Sequence, residues 1–377
     1  TFTLTDASPW FLSVLATWCG VPSRQDMVEK GGAKWTEPAT YVGNGPYVLQ
    51  TWDHQSQMVF QANPNYVGGV PPIQRVQYLM ISEPTVAFAA YQSGDLDVFP
   101  YTKEQVKTIK ADPTMSKQAV TGPGTGCFYM GFNNKKAPFD NPKVRQAFSL
   151  AIDRKAFVHD ILGDIGLPAN QFVPTKLPGN YPDLKDTYQT FNADQAKKLL
   201  SDAGFPGGKG LPEIKWTYSQ SSTNQIRIEA LAGQIKSVLG VNIGFDPVEP
   251  KAYTALTKNP ATTPPLFLLG WIQDYPDPQD WYTTVFRSDS TSTHTGYKDD
   301  QFDKLVTAGD HELDAAKRES DYKQAAQLLN DDVGVAFVWW SETADLIKPS
   351  VTGYVVDPTE YYFGQHKLSS LKYTPGS

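Results

Sequence analysis

Leu266-Phe267-Leu268-Leu269-Gly270-Trp271-Ile272-Gln273-Asp274-Tyr275-Pro276-Asp277-Pro278-Gln279-Asp280-Trp281 is the stretch around which the rest of the chain is organised. It begins as an apolar run far too short to cross a bilayer and breaks at Gly270 into an aromatic, acidic, proline-punctuated turn. A buried strand delivers a polar loop to a ligand in this way. Asp274 and Asp277 offer a candidate cation acceptor, and Trp271, Tyr275 and Trp281 flank them with flat apolar surfaces. Small-molecule sites combine those two ingredients.

Working outward, the residues just upstream predict strand, helix, strand: Ile214–Tyr218, Gln225–Leu239 and Val241–Phe245, a βαβ unit that feeds the stretch. Downstream come helices near Gln301–Ala308 and Ala315–Asn330, then an apolar strand, Ala336–Trp340. On that strand Trp339 and Trp340 must face opposite ways. Two further helices carry strong end signals. Asn141-Pro142 opens one whose buried stripe is Val144, Ala147, Phe148, Ala151 and Ile152, and Asn192 opens another that Gly204 ends. Arg145, Asp153 and Arg154 lie off the first stripe and read as structural ion pairs.

The amino-terminal third alternates strand and helix signals as well. Thr1–Thr5 has strand alternation, and Pro9–Cys19 reads as a helix that Val21-Pro22 ends. Gly43-Asn44-Gly45-Pro46 turns into a strand at Tyr47, and Asn63–Tyr66 is a second turn. Val76–Ile81 reads as a strand, Thr85–Gln92 as a helix stopped by Gly94, and Asp95–Val98 as a strand. The rhythm is α/β. The last stretch, with Pro349, Gly353, Pro358 and Gly364, is loop-rich.

At 377 residues the chain exceeds one compact core, so two lobes are expected. With neither an internal repeat nor a Ser/Gly linker in view, crossing strands are the expected join. A net charge of -7 excludes a nucleic-acid partner, because no basic stripe is present to neutralise phosphates. Nine Trp, 19 Tyr and 19 Phe exceed what a core alone demands and leave some for a binding surface. Residues 1–10 have no signal-peptide pattern, so an exported protein would be seen here in processed or trimmed form. Cys19 and Cys127 are too few for a disulfide framework or a cysteine metal site. They read as small apolar residues, with mutual pairing in an oxidising compartment as the alternative.

Catalytic constellations do not assemble. His54, His159, His294, His311 and His366 have no metal-ligand spacing, and His311-Glu312 lacks a second histidine. No metal and no cofactor is expected. Gly207-Gly208-Lys209-Gly210 has glycine where a phosphate loop needs Ser or Thr. Ser369-Ser370-Leu371-Lys372 lacks the companion motifs of Ser-x-x-Lys enzymes. The remaining enzymatic alternative is Asp274 with Asp277 as the carboxylate pair of a glycoside-acting enzyme. Against it, Pro276 and Pro278 hold the two in a turn where their side chains diverge, so binding without chemistry is favoured.

Several phrases in fixed order resemble the large solute-binding proteins of peptide-type ABC transporters, the family with oligopeptide-, dipeptide- and nickel-binding members. They are Gly43-Asn44-Gly45-Pro46-Tyr47 with Trp52, Asn63-Pro64-Asn65-Tyr66, Phe132-Asn133-Asn134, Val144-Arg145-Gln146-Ala147-Phe148, Ala151-Ile152-Asp153-Arg154, and Gly270-Trp271 with Asp274-Tyr275-Pro276-Asp277-Pro278. The resemblance implies a two-lobed, hinged α/β fold of the periplasmic-binding-protein type II class and no catalysis. On it, residues 1–128 and 346–377 are expected in lobe I and 129–345 in lobe II. It also implies that a further amino-terminal segment precedes Thr1.

In peptide-binding relatives the Asp three residues after the Trp of the Gly-Trp motif accepts the ligand's α-ammonium, a role the resemblance gives to Asp274. Gly270, Trp271 and Tyr275 complete the expected ligand-binding set, and main-chain groups of the adjoining strand would hold an extended peptide. The alternative reading of Asp274 is a turn cap or a base pairing, and Asp277 before proline reads as turn architecture. The disulfide that some relatives make beside this motif is ruled out by Ile272. The expected partners are a peptide, or alternatively an oligosaccharide, and an ABC permease. Nickel is disfavoured for want of a histidine cluster. The expected state is a monomer outside the cytoplasmic membrane, extracellular or periplasmic, as a lipoprotein tethered only by an anchor beyond this sequence.

Overall fold

The computed structural model describes residues 1–292, 294–356 and 368–375. Pro358, Gly364 and His366 lie outside them. In chain order the first elements are α1 (Phe11–Leu15), α2 (Gln25–Gly31), β1 (Tyr47–Asp53), β2 (Gln57–Ala62), β3 (Arg75–Leu79), α3 (Pro84–Ser93), β4 (Val98–Pro100), α4 (Lys103–Ala111) and α5 (Pro113–Gln118). The long strand β5 (Ala119–Phe132) leads to α6 (Pro142–Leu150), α7 (Arg154–Leu162), β6 (Leu167–Pro168) and α8 (Ala193–Asp202). Next come β7 (Ile214–Ser219), α9 (Ser222–Leu239), β8 (Ile243–Val248), α10 (Pro250–Thr257), β9 (Leu266–Ile272) and α11 (Pro278–Phe286). The chain closes with α12 (Asp300–His311), α13 (Ala315–Asp332), β10 (Val335–Ile347), β11 (Val351–Thr352) and β12 (Lys372–Tyr373).

Two compact units result, one of Thr1–Val14 with Pro123–Glu342 and one of Leu15–Gly122 with Thr343–Ser377. The chain passes between them inside β5 and inside β10. Residues 1–14, expected in one lobe with residues 15–128, fold instead with residues 123–342.

In the unit of residues 123–342 the sheet runs β10-β5-β9-β7-β8, with β6 on β10. The βαβ expectation holds: β7 and β8 are parallel, joined through α9, whereas β5 and β9 are antiparallel. Strand alternation sends Met130, Phe132, Leu266, Leu268, Ala336 and Val338 into one core. Their neighbours Cys127, Tyr129, Phe267, Val335 and Phe337 enter a second core on the opposite face. Trp339 joins the first and Trp340 the second, so both indoles are core because both faces of β10 are covered.

Helix α6 starts as its sequence demands, with the Asn141 side chain accepting from Lys143 N and Pro142 in the first turn. Among the described residues Arg145 and Arg154 are not ion-paired as the sequence suggested. Both are buried, and their guanidiniums donate to carbonyls: Arg145 to Phe139, Asp332 and Val333, and Arg154 to Ser149, Ile152 and Phe337. Asp153 caps α7 instead of pairing. Spacing along a helix surface says nothing of the carbonyls that β10 and the end of α13 bring to these positions.

In the unit of residues 15–122 and 343–377, β1, β2 and β3 form an antiparallel sheet and β4 pairs with the last residues of β10. Gly94 ends α3 in the left-handed region at φ 92°. Three expectations shift. Thr1–Thr5 pairs with no strand among the described residues and stays exposed and irregular. The predicted helix at Pro9–Cys19 is confined to α1 plus a turn of 3-10 helix at Trp18–Gly20. The strand near Asp97 begins only at Val98. Cys19 is exposed and Cys127 buried, and the two are not joined in a disulfide. Among the described residues, no helix is long and apolar enough to cross a membrane.

Candidate ligand-binding site

The opening stretch becomes a strand, a turn and a helix. Cys127 stands opposite Trp271, and Gly126 opposite Ile272, in the β5–β9 pair. Gln273 N donates to Thr125 O at 2.9 Å, which fixes the alternation: odd-numbered residues of β9 bond β5, and the main-chain groups of Leu268, Gly270 and Ile272 point the other way. On that side β7 pairs only with Leu266 and Phe267. Tyr253 Oη donates to Leu268 O. Gly270 and Ile272 have no strand partner there, so two N–H and two C=O groups form an open edge among the described residues.

Gly270 is required by packing. A Cβ there would lie 2.6 Å from Phe128 Cδ1 and 3.1 Å from Cys127 O. Phe128 cannot swing clear, because its ring stacks on Trp339 at 4.6 Å between centroids.

Beyond the strand, Asp277 caps α11 by accepting from Gln279 N at 2.8 Å, with Pro278 in the first turn. Both of its oxygens also meet Arg318, at 2.7 and 3.1 Å. The expected turn role of Asp277 thus includes a helix cap and an ion pair to α13. The helix itself was not legible in the stretch, although Asp-Pro before an aromatic run carries the cap signal. Asp277 has no oxygen left uncommitted to pair with Asp274.

Asp274 is different. It is half-buried, and its carboxylate accepts no hydrogen bond among the described residues. Burial alone lifts its carboxyl above the usual range, with no neighbouring base to offset it. Its backbone N–H, by contrast, is held by Asp280 Oδ2 at 2.9 Å. The same oxygen accepts from Trp271 Nε1 at 3.3 Å. Tyr275 donates its hydroxyl to Gln279 Oε1 and stacks its ring on Trp10, with centroids 6.3 Å apart and planes 24° apart.

Gly270, Trp271, Asp274 and Tyr275 are therefore gathered at one end of β9, with the carboxylate unpaired and the indole fixed. Two contributors escaped the sequence reading. Trp10 is 265 positions from Tyr275, beyond any local signal. Asp280 lies in the quoted stretch, but its position in the first turn of α11 appears only once Asp277 is known to be the cap. Chemically, the arrangement offers a single negative charge in partly desolvated surroundings, aromatic walls, and an open strand edge.

Among curated proteins, the periplasmic oligopeptide-binding protein OppA of Salmonella typhimurium is 32% identical over 357 residues, covering 93% of this chain. The chain spans 65% of that relative's length. Among solved structures, the Escherichia coli murein tripeptide-binding protein MppA superposes with a TM-score of 0.81 at 26% identity, over 98% of this chain and 72% of that one. Haemophilus influenzae OppA in complex with the peptide RPPGFSPFR does so at 0.77 and 26%, over 98% and 72%. The fold is thus that of these peptide-binding proteins. The model of the bacterial extracellular solute-binding proteins, family 5 (Middle), matches residues 1–293, and the chain belongs to that family.

Proposed function

We propose that this chain is the ligand-holding part of an extracytoplasmic solute-binding protein that captures peptides by their free α-ammonium and hands them to an ABC permease. The observation that carries the reading is the Asp274 carboxylate, half-buried and without a donor, at the end of the open edge of β9. A peptide satisfies both features at once. Its ammonium makes a charge-assisted hydrogen bond to Asp274, and its main chain exchanges bonds with Gly270 and Ile272 as an added strand. Trp271 and Tyr275 line the approach and exclude water, which strengthens the charge contact. Recognition through main-chain groups leaves side-chain identity open.

Membership in a binding-protein family and the peptides named for OppA and MppA support this reading. On it the chain binds and releases its ligand unchanged. Calorimetric titration with tri- to pentapeptides, with their N-acetylated forms and with a cello-oligosaccharide series tests it. Binding restricted to free-amino peptides and weakened at least ~10-fold by Asp274→Asn is the expected result. Equal affinity for acetylated peptides, or binding of the sugars alone, would overturn it.

A further inference from the structure

Asp280 is wholly buried, and only one of its two oxygens is in use. Oδ2 accepts from the Trp271 indole and from the Asp274 main chain, whereas Oδ1 is sealed from solvent with no partner among the described residues. A single side chain thus ties both candidate ligand contacts to the start of α11. We propose that Asp280 is the positioning residue of the site, and that it is neutral while the site is empty and surrenders its proton when a cation is seated on Asp274. This rests on the reading of Asp274 as an ammonium acceptor.

The surroundings explain both halves of the proposal. Facing Asp280 from β9 and the turn are the Trp271 N–H, the Asp274 N–H and the Asp274 carboxylate, with Tyr275 beside them. From the cap of its own helix the only link among the described residues is main chain to main chain, Asp280 N donating to Asp277 O at 3.2 Å. The guanidinium of Arg318 on α13 is committed to Asp277, and that of Arg287, just after α11, to Asp289 and Asp310. Among the described residues, therefore, no base is directed at Asp280. Burial, with the Asp274 charge adding to it, pushes its carboxyl up to about 8 despite the opposing pull of the Asp274 and Tyr275 main-chain N–H groups and the Trp271 indole. The proton belongs on Oδ1, since Oδ2 is occupied by donors.

An ammonium on Asp274 reverses that balance. It cancels the neighbouring negative charge and adds a positive one in a low-dielectric setting, so the ionised form of Asp280 becomes the favoured one. One proton leaves to solvent for each cation bound, and the site gains a second negative charge only when a cation is present. Such a site discriminates against ligands with a blocked amine beyond the loss of one contact.

The test follows the Trp271 indole N–H resonance of tryptophan-labelled protein against pH, assigned with Trp271→Phe. Since that N–H bonds Asp280, it reports the carboxyl directly. In wild type it should titrate near the Asp280 midpoint. Asp280→Asn, which keeps an acceptor for both donors, should hold the resonance in place and make it flat with pH. Asp274→Asn should lower the midpoint by roughly one pH unit. A free-amino alanine peptide series should lower it in wild type, and N-acetylated peptides should not. A resonance that does not titrate in wild type, or an unchanged midpoint in Asp274→Asn, overturns the proposal. If Asp274→Asn shifts the midpoint while no peptide does, the coupling of the two carboxyls stands and the ammonium role of Asp274 falls.

Discussion

Arg318 on α13 grips both oxygens of Asp277, at 2.7 and 3.1 Å, while Asp274 three residues earlier accepts nothing among the described residues. That difference separates two carboxylates which look equivalent in sequence. Asp277→Ala removes a helix cap and strands a guanidinium whose side chain is only 14% exposed. The expected loss is about 2–4 kcal/mol, read as a lowered urea midpoint with unchanged slope. Asp274→Asn should alter stability by no more than ~1 kcal/mol, because its half-exposed charge is screened and unpaired. An equal loss in both variants would contradict the assignment.

Arg154 makes a second test of buried polarity. Its guanidinium serves Ser149 O, Ile152 O, Phe337 O, Ser149 Oγ and Gln189 Oε1 at 2.5–3.1 Å, and burial lowers its pKa only to about 10, so it stays charged at neutrality. Arg154→Met would leave those acceptors buried and unsatisfied, at a cost of about 3–5 kcal/mol. Arg154→Lys should recover part of that, having a charge but no planar fork. A stable methionine variant would show that the network is dispensable.

How much of this was legible depends on range. Helix α6 could be read because Asn141 and Pro142 announce it locally and its stripe repeats at helical spacing. The strand β5 could not, since Thr121-Gly122-Pro123-Gly124-Thr125-Gly126 has turn composition. It is held extended by pairing with β9 and by contacts such as Gly126 N to Ser341 Oγ at 2.9 Å, made across 215 positions. In the candidate site, Asp274 stood out because aromatic and proline neighbours mark a loop, and the family resemblance gave it a role. The partner of Asp277 lies 41 residues away, and no local pattern names Arg318. Asp280 was hidden for another reason: its burial depends on where α11 begins.

Gly270→Ala should destabilise by about 1–3 kcal/mol, since the new methyl meets Phe128 and the Cys127 carbonyl while Phe128 is backed by Trp339. Adding Phe128→Ala opens the space the methyl needs. The double variant should then lose less than the sum of the two singles, a coupling of at least ~0.5 kcal/mol in thermal or urea unfolding. Strict additivity would mean that the strand shifts to accept the methyl and that glycine is not required for packing.

The last prediction concerns pH. In the folded protein the Asp280 carboxyl lies at about 8, above the ordinary value of 3.8 that the unfolded chain restores. Between those values the folded state binds one more proton than the unfolded state, so stability falls as pH rises through the window. Above it no further loss accrues from this group. Asp280→Asn abolishes the difference while keeping acceptors for Trp271 and Asp274. Relative to wild type the variant should therefore gain about 2–4 kcal/mol on going from pH 5 to pH 8, smaller than an unrelaxed site would give. Paired urea titrations at the two pH values measure the change. A stability difference that is flat with pH would place the Asp280 carboxylate in its charged form in the empty site, and with it would remove the proton that ligand binding is proposed to expel.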